Sequence, residues 1–478
     1  MGAVVLVLAL VATVSWYRDR VGLVHETAGE HPGAPAEHPT SVHEHGWSWS
    51  PPGDVDVIDL VRGTHGPVAV LTDGLVALDG TTGRELWTYR EMDVSAPDPD
   101  VFAGPGWGVL GEHAYFLRPP GPDAPGRFLA LDAATGEIAW ERDVAAEETV
   151  DGWNAYSPLV QLHSPDAGPE GGDHGVVLAR SPRDGTDLWE FRPPWPTESC
   201  TLQGAPLLRS AGESGQVLVA HACANETELA ELSLGDPSED PLVFAGRAES
   251  LSLHVTALDP RTGRVLWSDR RPISGPGDPV ALGLLDRSPP VPGEPPAVLV
   301  ESGPELARPF VNDAAEGREA RYPREALDGD HAPNDPAGRT LRADTSGLVV
   351  AVDSADEPYV PDTEWAFDAL GVDSQGRVVS SVTVEEEVIT ADHLARTIAL
   401  EGTLLVPHLD ADGARSRVYA AGMDSGTEGG AWLEPRPASR TAGSDGTENE
   451  HRLLAVPGAV LSYLSDGATV TDVHALVP

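Results

Sequence analysis

One short pattern constrains this chain more than any other feature. Ala-Leu-Asp-x-x-Thr-Gly-x-x-x-Trp occupies Ala77–Trp87, Ala130–Trp140 and Ala257–Trp267. Only 12 of the 478 residues are Trp, so three at one offset mark an internal repeat. Each copy reads as a β-hairpin. The apolar residues before Asp form one strand. Asp79, Asp132 and Asp259 can accept bonds from the backbone N–H groups of the turn that follows. Gly83, Gly136 and Gly263 supply the positive φ that a short loop needs. The second strand ends on Trp87, Trp140 or Trp267, a side chain large enough to fill the gap between packed sheets.

A worn fourth copy has Ser181 in place of Asp but keeps Gly185 and Trp189. Looser echoes are Asp353 with Trp365, and Asp424 and Gly426 with Trp432. Repeats of roughly 40–50 residues, rich in strand and turn signals, read as propeller blades. A longer gap before Gly263 leaves room for an insertion around Asn225–Glu249. Apolar runs bounded by Gly and Pro fill the space between copies, and no sustained helical period follows the N-terminus. The expected fold is all-β, a β-propeller of seven or eight four-stranded blades over residues 47–478, preceded by one N-terminal transmembrane helix.

The repeated pattern resembles the tryptophan-containing blade motif of pyrroloquinoline-quinone-type propellers. That superfamily includes quinoprotein dehydrogenases. It also includes non-catalytic relatives, among them the lipoprotein subunit of the outer-membrane β-barrel assembly machinery and sensor domains of receptor kinases. The likeness is clear near residues 50–270 and weak beyond. The resemblance implies that the Trp and Gly are structural in every branch. The enzyme branch implies a quinone covered by a disulfide between adjacent cysteines, with Ca²⁺ held by Glu, Asn and Asp. Cys200 and Cys223 are the two cysteines, and they are not neighbours. A branch of soluble sugar dehydrogenases lacks that disulfide, yet no run here matches the Ca²⁺ ligands or the catalytic base. No catalytic, cofactor-binding or metal-binding residue is therefore assigned. The expectation is a non-catalytic protein that binds an envelope protein or small ligand, without a cofactor. The alternative is a dehydrogenase using pyrroloquinoline quinone and Ca²⁺.

Charge narrows the partners. There are 31 basic and 76 acidic residues, a formal net of −45, and every basic residue is Arg. Such acidity disfavours nucleic acid and anionic lipid headgroups. A solvated acidic shell is the plain reading and a cationic partner the sharper one. The ring is expected to be monomeric. Two cysteines suit one disulfide, Cys200–Cys223, in an oxidising compartment; buried free thiols are the alternative.

Gly2–Tyr17 is an uncharged apolar run of 16 residues. As a helix it spans about 24 Å, a little short of the roughly 30 Å hydrocarbon core. Trp16, Tyr17, Arg18 and Arg20 suit an interface belt. Residues 1–24 are read as a membrane anchor and flank, with the propeller on the extracytoplasmic side of a bacterial membrane. The two arginines after the run argue for the opposite orientation; the disulfide and the family likeness decide against it. Residues 25–46 read as a His/Pro-rich linker, and its histidines His31, His38, His43 and His45 as incidental to it rather than as metal ligands.

Three further features read as structural. Asp410 and Asp412 form part of an acidic loop that lacks the remaining Ca²⁺ ligands. Glu385, Glu386 and Glu387 sit at a strand edge. The polar stretch from Arg308 to Arg339 reads as a surface insertion and a candidate partner site.

Overall fold

Each copy of the repeat folds as the closing hairpin of an antiparallel sheet. The computed structural model describes residues 22–53, 55–91, 107–118, 126–144, 153–155, 159–163, 176–192, 200–202, 207–209, 216–223, 242–244, 252–272, 280–282, 297–302, 306–313, 316–319, 340–344, 347–353, 367–373, 377–384, 396–409, 415–423, 430–433, 436–437 and 450–478. The first strands are β1 (Leu23–Glu26), β2 (Glu44–Trp49), β3 (Val57–Arg62), β4 (Pro67–Leu71), β5 (Gly74–Leu78) and β6 (Glu85–Glu91). They are followed by β7 (Trp107–Leu110), β8 (His113–Arg118), β9 (Gly126–Asp132) and β10 (Ile138–Val144). No helix occurs among the described residues, and none there is long and apolar enough to cross a membrane. Residues 1–21, the expected anchor, lie outside the described residues.

Strands β3 to β6 pair in chain order as one antiparallel group, and β7 to β10 as the next. Similar groups follow, the third ending on Asp187–Phe191, the fourth on Val265–Pro272 and the sixth on Val378–Val384. The last group has three strands of its own, Glu450–Val456, Ala459–Ser465 and Val470–Val477. Its fourth strand is β2, from the other end of the chain, with Glu44 opposite Val477 and Ser48 opposite His474. Strand β3 meets the same Val470–Val477 strand at Val57↔Val470, so first and last groups share one nine-stranded sheet. Joining the ends of the chain this way closes a propeller-like layout.

The expected linker is therefore corrected. Residues 25–46 hold the second half of β1 and the start of β2, and β1 adds to the outer edge of β6 with Leu23 opposite Glu91 and Glu26 opposite Thr88. The reason lies in β2, Glu-His-Gly-Trp-Ser-Trp, where burial alternates residue by residue. Polar residues fill its exposed positions and mask a period of two.

Sheets pack face to face. Leu75 and Ala77 of β5 join Ala114, Phe116, Leu129 and Leu131 of the second group, whereas Val76 and Leu78 join Val456, Ala459 and Leu461 of the last. Every residue of β5 is buried. A strand covered on both sides reads as an unbroken apolar run rather than an alternating one. The sixth and seventh groups bury a core containing Phe367, Val384, Leu404 and Tyr419 in the same manner.

Two further expectations change. The stretch from Arg308 begins within strands Leu306–Asp313 and Glu316–Glu319, so its first part belongs to a sheet rather than to an insertion. Residues 320–339 lie outside the described residues, as do 385–395, 410–414 and most of 224–251. The Asp353 echo is not the repeat's hairpin, because Asp353 pairs with Phe367 between the second and third strands of its group. The closing turn of that group runs from Asp373 to Arg377, where the Asp373 amide bonds the Arg377 carbonyl at 2.9 Å. Trp432 does sit on an outer strand, opposite Tyr419.

The repeat hairpins all turn on one face of the ring, called here the turn face. The β3–β4 turn lies there too, since the Gly80 amide bonds the His65 carbonyl. The Asp73–Gly74 turn between β4 and β5 marks the opposite face.

Candidate binding surface

The repeat residues come together as a joint between neighbouring groups. In the first copy Asp79 Oδ1 accepts bonds from the Thr81 and Thr82 amides at 3.0 and 2.8 Å, and from the Thr82 hydroxyl at 2.8 Å. Asp132 does the same for Ala134 and Thr135, and Asp259 for Arg261 and Thr262. Gly83, Gly136, Gly185 and Gly263 take φ of +71°, +73°, +71° and +65°. Ser181 keeps the turn in the worn copy through its own backbone, accepting from the Gly185 amide at 2.9 Å. There Asp184 takes over the side-chain bonding, and bonds from Thr186 and Ser181 hold its carboxyl down at about 2.

The tryptophans reach across. Trp87 Nε1 donates to the Ala133 carbonyl of the next group at 3.0 Å, and its ring covers Gly136, where a methyl would stand 2.5 Å from Trp87 Cγ. Trp189 donates to the Pro260 carbonyl at 2.9 Å and covers Gly263 in the same way. Trp140 is half-buried against Phe128, and Trp267 bonds Gln216 of its own group at 3.2 Å. The ring's closing seam has a member outside the repeat. Trp47 of β2 donates to the Gly80 carbonyl at 2.8 Å and lies over Gly83. The signal that could have found it was the three-residue Trp-Ser-Trp, whose spacing places both rings on one face of a strand.

Cys200 and Cys223 are register partners on adjacent strands of the fourth group. Cys223 is disulfide-bonded, and no cysteine is free.

The inner wall carries the polar chemistry. The first strands of successive groups touch one another, β7 against β3, β3 against Glu450–Val456, and that strand against Ile398–Ala399. Along them runs a chain of charged and polar groups. Trp107 Nε1 donates to Asp59 Oδ2 at 3.0 Å, and the Leu60 amide to Asp59 Oδ1 at 2.8 Å. Burial raises the Asp59 carboxyl above the usual range despite these donors and the nearby Arg452 charge. Glu450 is held by Arg452 at 2.7 Å and by Arg396 at 2.9 Å. Burial pushes the neighbouring Tyr463 phenol up to about 12, and the Asp59 charge adds to the shift. None of these residues was legible as a site, because they lie far apart in sequence and share no motif.

A third surface is made by the N-terminal segment, which crosses the turn face. The Ala28 amide bonds the Thr135 carbonyl of the second group. The His31 and His65 rings meet edge to face at 6.0 Å. The Gly458 amide bonds the Glu37 carbonyl, and the Gly402 amide the Thr40 carbonyl. Val42 is buried beside Leu400 and Leu405. Desolvation, with the Arg62 charge, lowers His38 to about 4. The described residues hold no cluster of His, Cys, Asp or Glu arranged around a metal.

Known proteins share parts of this chain. A family model described as outer membrane protein assembly factor BamB matches residues 72–360. The chain is similar to quinoprotein ethanol dehydrogenase of Pseudomonas putida, 33% identical over 141 residues, 25% of this chain and 22% of that protein. It is also similar to outer membrane protein assembly factor BamB of Yersinia pestis, 24% identical over 217 residues, 41% of this chain and 51% of that protein. It therefore spans about half, or less, of the curated relatives it matches. Among solved structures, a quinohemoprotein alcohol dehydrogenase from Pseudomonas putida aligns at 13% identity and a TM-score of 0.36, covering 94% of this chain and 79% of that one.

Proposed function

This chain belongs to the outer membrane protein assembly factor BamB family, and we propose that it is a non-catalytic binding protein of the bacterial cell envelope. We read the ring as eight blades, closed by β2, with residues 1–21 as a membrane anchor and the propeller on the extracytoplasmic side. The Cys200–Cys223 bridge fits an oxidising compartment. The partner is an envelope protein, engaged through the loops of one face.

One observation carries the reading. It lies at the inner wall, because the repeated residues are consumed in packing whichever branch is meant: Asp79, Asp132 and Asp259 cap turns, and Trp87 and Trp189 cover the next group's glycine. The second reading, a quinone dehydrogenase, is favoured by the match to an ethanol dehydrogenase. Among the described residues, the donor set at the inner wall does not fit its Ca²⁺ and quinone. Glu450 is already paired with two arginines, and both carboxylate oxygens of the buried Asp59 are taken by N–H donors, Oδ2 by Trp107 and Oδ1 by the Leu60 amide.

The test is capture from detergent-solubilised envelope with the full chain as bait, beside a chain lacking residues 22–49. One envelope protein enriched only by the closed ring is the expected result. Equal recovery with both baits would remove the claim that the assembled ring is the binding element.

A further inference from the structure

We infer that the ring stands on the membrane with its opposite face toward the lipid and its turn face, crossed by the N-terminal segment, directed away. This rests on the anchor reading proposed above and adds an orientation to it. The observation is where the described chain begins. Leu23 lies opposite Glu91, at the end of β6 remote from the repeat turn. The Glu91 amide bonds the Asp73 carbonyl, which places that end beside the Asp73–Gly74 turn. From there β1 climbs the outer edge of the first group, and Ala28 reaches the Thr135 turn on the other face. Whatever precedes Leu23 therefore leaves the ring at the opposite face.

The tether is short against the height of the ring. The apolar run ends at Tyr17 and β1 starts at Leu23. Even fully extended, the residues between span only about 20 Å. The seven residues of β6 make the sheet about 23 Å tall from face to face. A tether this short holds the opposite face of the first group near the bilayer surface and keeps the turn face farther from it. Residues 22–49 add no free length to that tether, because they are strand and hydrogen-bonded segment. The surface brought to the lipid needs no affinity of its own, and in a chain of net charge −45 it has little for anionic headgroups.

The absence of Lys from the whole chain supplies a clean test. One position on each face of the first group receives a single lysine. Asp56→Lys serves the opposite face, since the Asp56 carbonyl accepts from Thr72 beside the Asp73 turn. Arg84→Lys serves the turn face. Each full-length variant is mixed with zwitterionic vesicles containing phosphatidylethanolamine, floated on a density gradient, and treated with a short amine-reactive crosslinker. The unsubstituted chain measures the background from its α-amino group. The expected result is flotation of all three chains, with several-fold more lipid adduct above background on the Asp56→Lys chain than on the Arg84→Lys chain. Flotation with equal adducts, or with more adduct on the Arg84→Lys chain, would overturn the orientation while leaving the anchor intact. Failure to float would overturn the anchor reading, and the orientation with it.

Discussion

Replacing Gly136 with Ala tests the joint between groups at a single methyl. Gly136 has φ +73°, and a left-handed conformation costs a non-glycine residue about 1–2 kcal/mol. The added carbon would also stand 2.5 Å from Cγ of Trp87, whose side chain is 1% exposed and whose Nε1 bonds Ala133. The indole must withdraw, giving up a hydrogen bond of about 1 kcal/mol and part of its packing. The whole cost should reach about 3–5 kcal/mol. Gly467 is the control, with φ +86° and nothing within reach of a methyl, so Gly467→Ala should cost only the strain, about 1–2 kcal/mol. The sharper form is a double-mutant cycle. Trp87→Ala alone should cost about 3–5 kcal/mol. In that background Gly136→Ala should cost no more than Gly467→Ala, leaving a coupling of about 2 kcal/mol. Denaturant unfolding followed by circular dichroism reads all four chains. Additivity within about 0.5 kcal/mol would show that Trp87 does not depend on Gly136, and the joint would have to be abandoned.

Other outcomes follow from the same packing. Trp140→Ala should destabilise less than Trp87→Ala, because Trp140 is half-buried against a small cluster of Tyr115, Leu117, Phe128 and Val144, whereas Trp87 is fully buried; the reverse order in the same melts would contradict the assigned register. His38 is held neutral, at about 4 against 6.5 in the unfolded chain, so the unfolded state takes the proton first. The stability this contributes is complete above pH 6.5 and is lost as pH falls toward 4, with about 1 kcal/mol lost at pH 5 once solvent screening of this partly exposed ring is allowed for. His38→Gln should shrink the difference between melts at pH 7 and pH 5 by that amount, and an unchanged difference would mean that His38 does not set the acid sensitivity. Reducing the Cys200–Cys223 bridge, which closes a loop of 22 intervening residues, should cost about 3 kcal/mol; no shift in the midpoint would mean that the fourth group contributes little to cooperative unfolding.

Much of the fold was legible because the repeat encodes both a turn and a joint. Asp and Gly fix the hairpin locally, and Trp at a constant offset announces a second sheet to pack against. The same logic failed wherever a local signal was weak. In β2 the alternation of Glu44, Gly46 and Ser48 with His45, Trp47 and Trp49 is present, but Pro-rich and His-rich residues before it read as linker. The strand becomes obligatory only through its partner Val470–Val477, more than four hundred residues away, and no local propensity carries that information. The Asp373–Arg377 turn escaped notice because it holds neither the full spacing nor a Trp, and an Arg377–Asp373 ion pair at 2.6 Å stands in for part of the lost bonding. The inner wall was least legible. Asp59, Trp107, Arg396, Glu450 and Arg452 meet only because four first strands line up at the centre of the ring, and the chain never places them near one another.

The measurement that bears most directly on a binding role without catalysis uses the chain's own 12 Trp. The full chain is titrated with pyrroloquinoline quinone in the presence and absence of Ca²⁺ while Trp fluorescence is followed. A binding protein without catalysis should show no saturable quenching at low micromolar quinone in either case. One-to-one quenching that saturates and depends on Ca²⁺ would contradict that role by showing a quinone site in the ring.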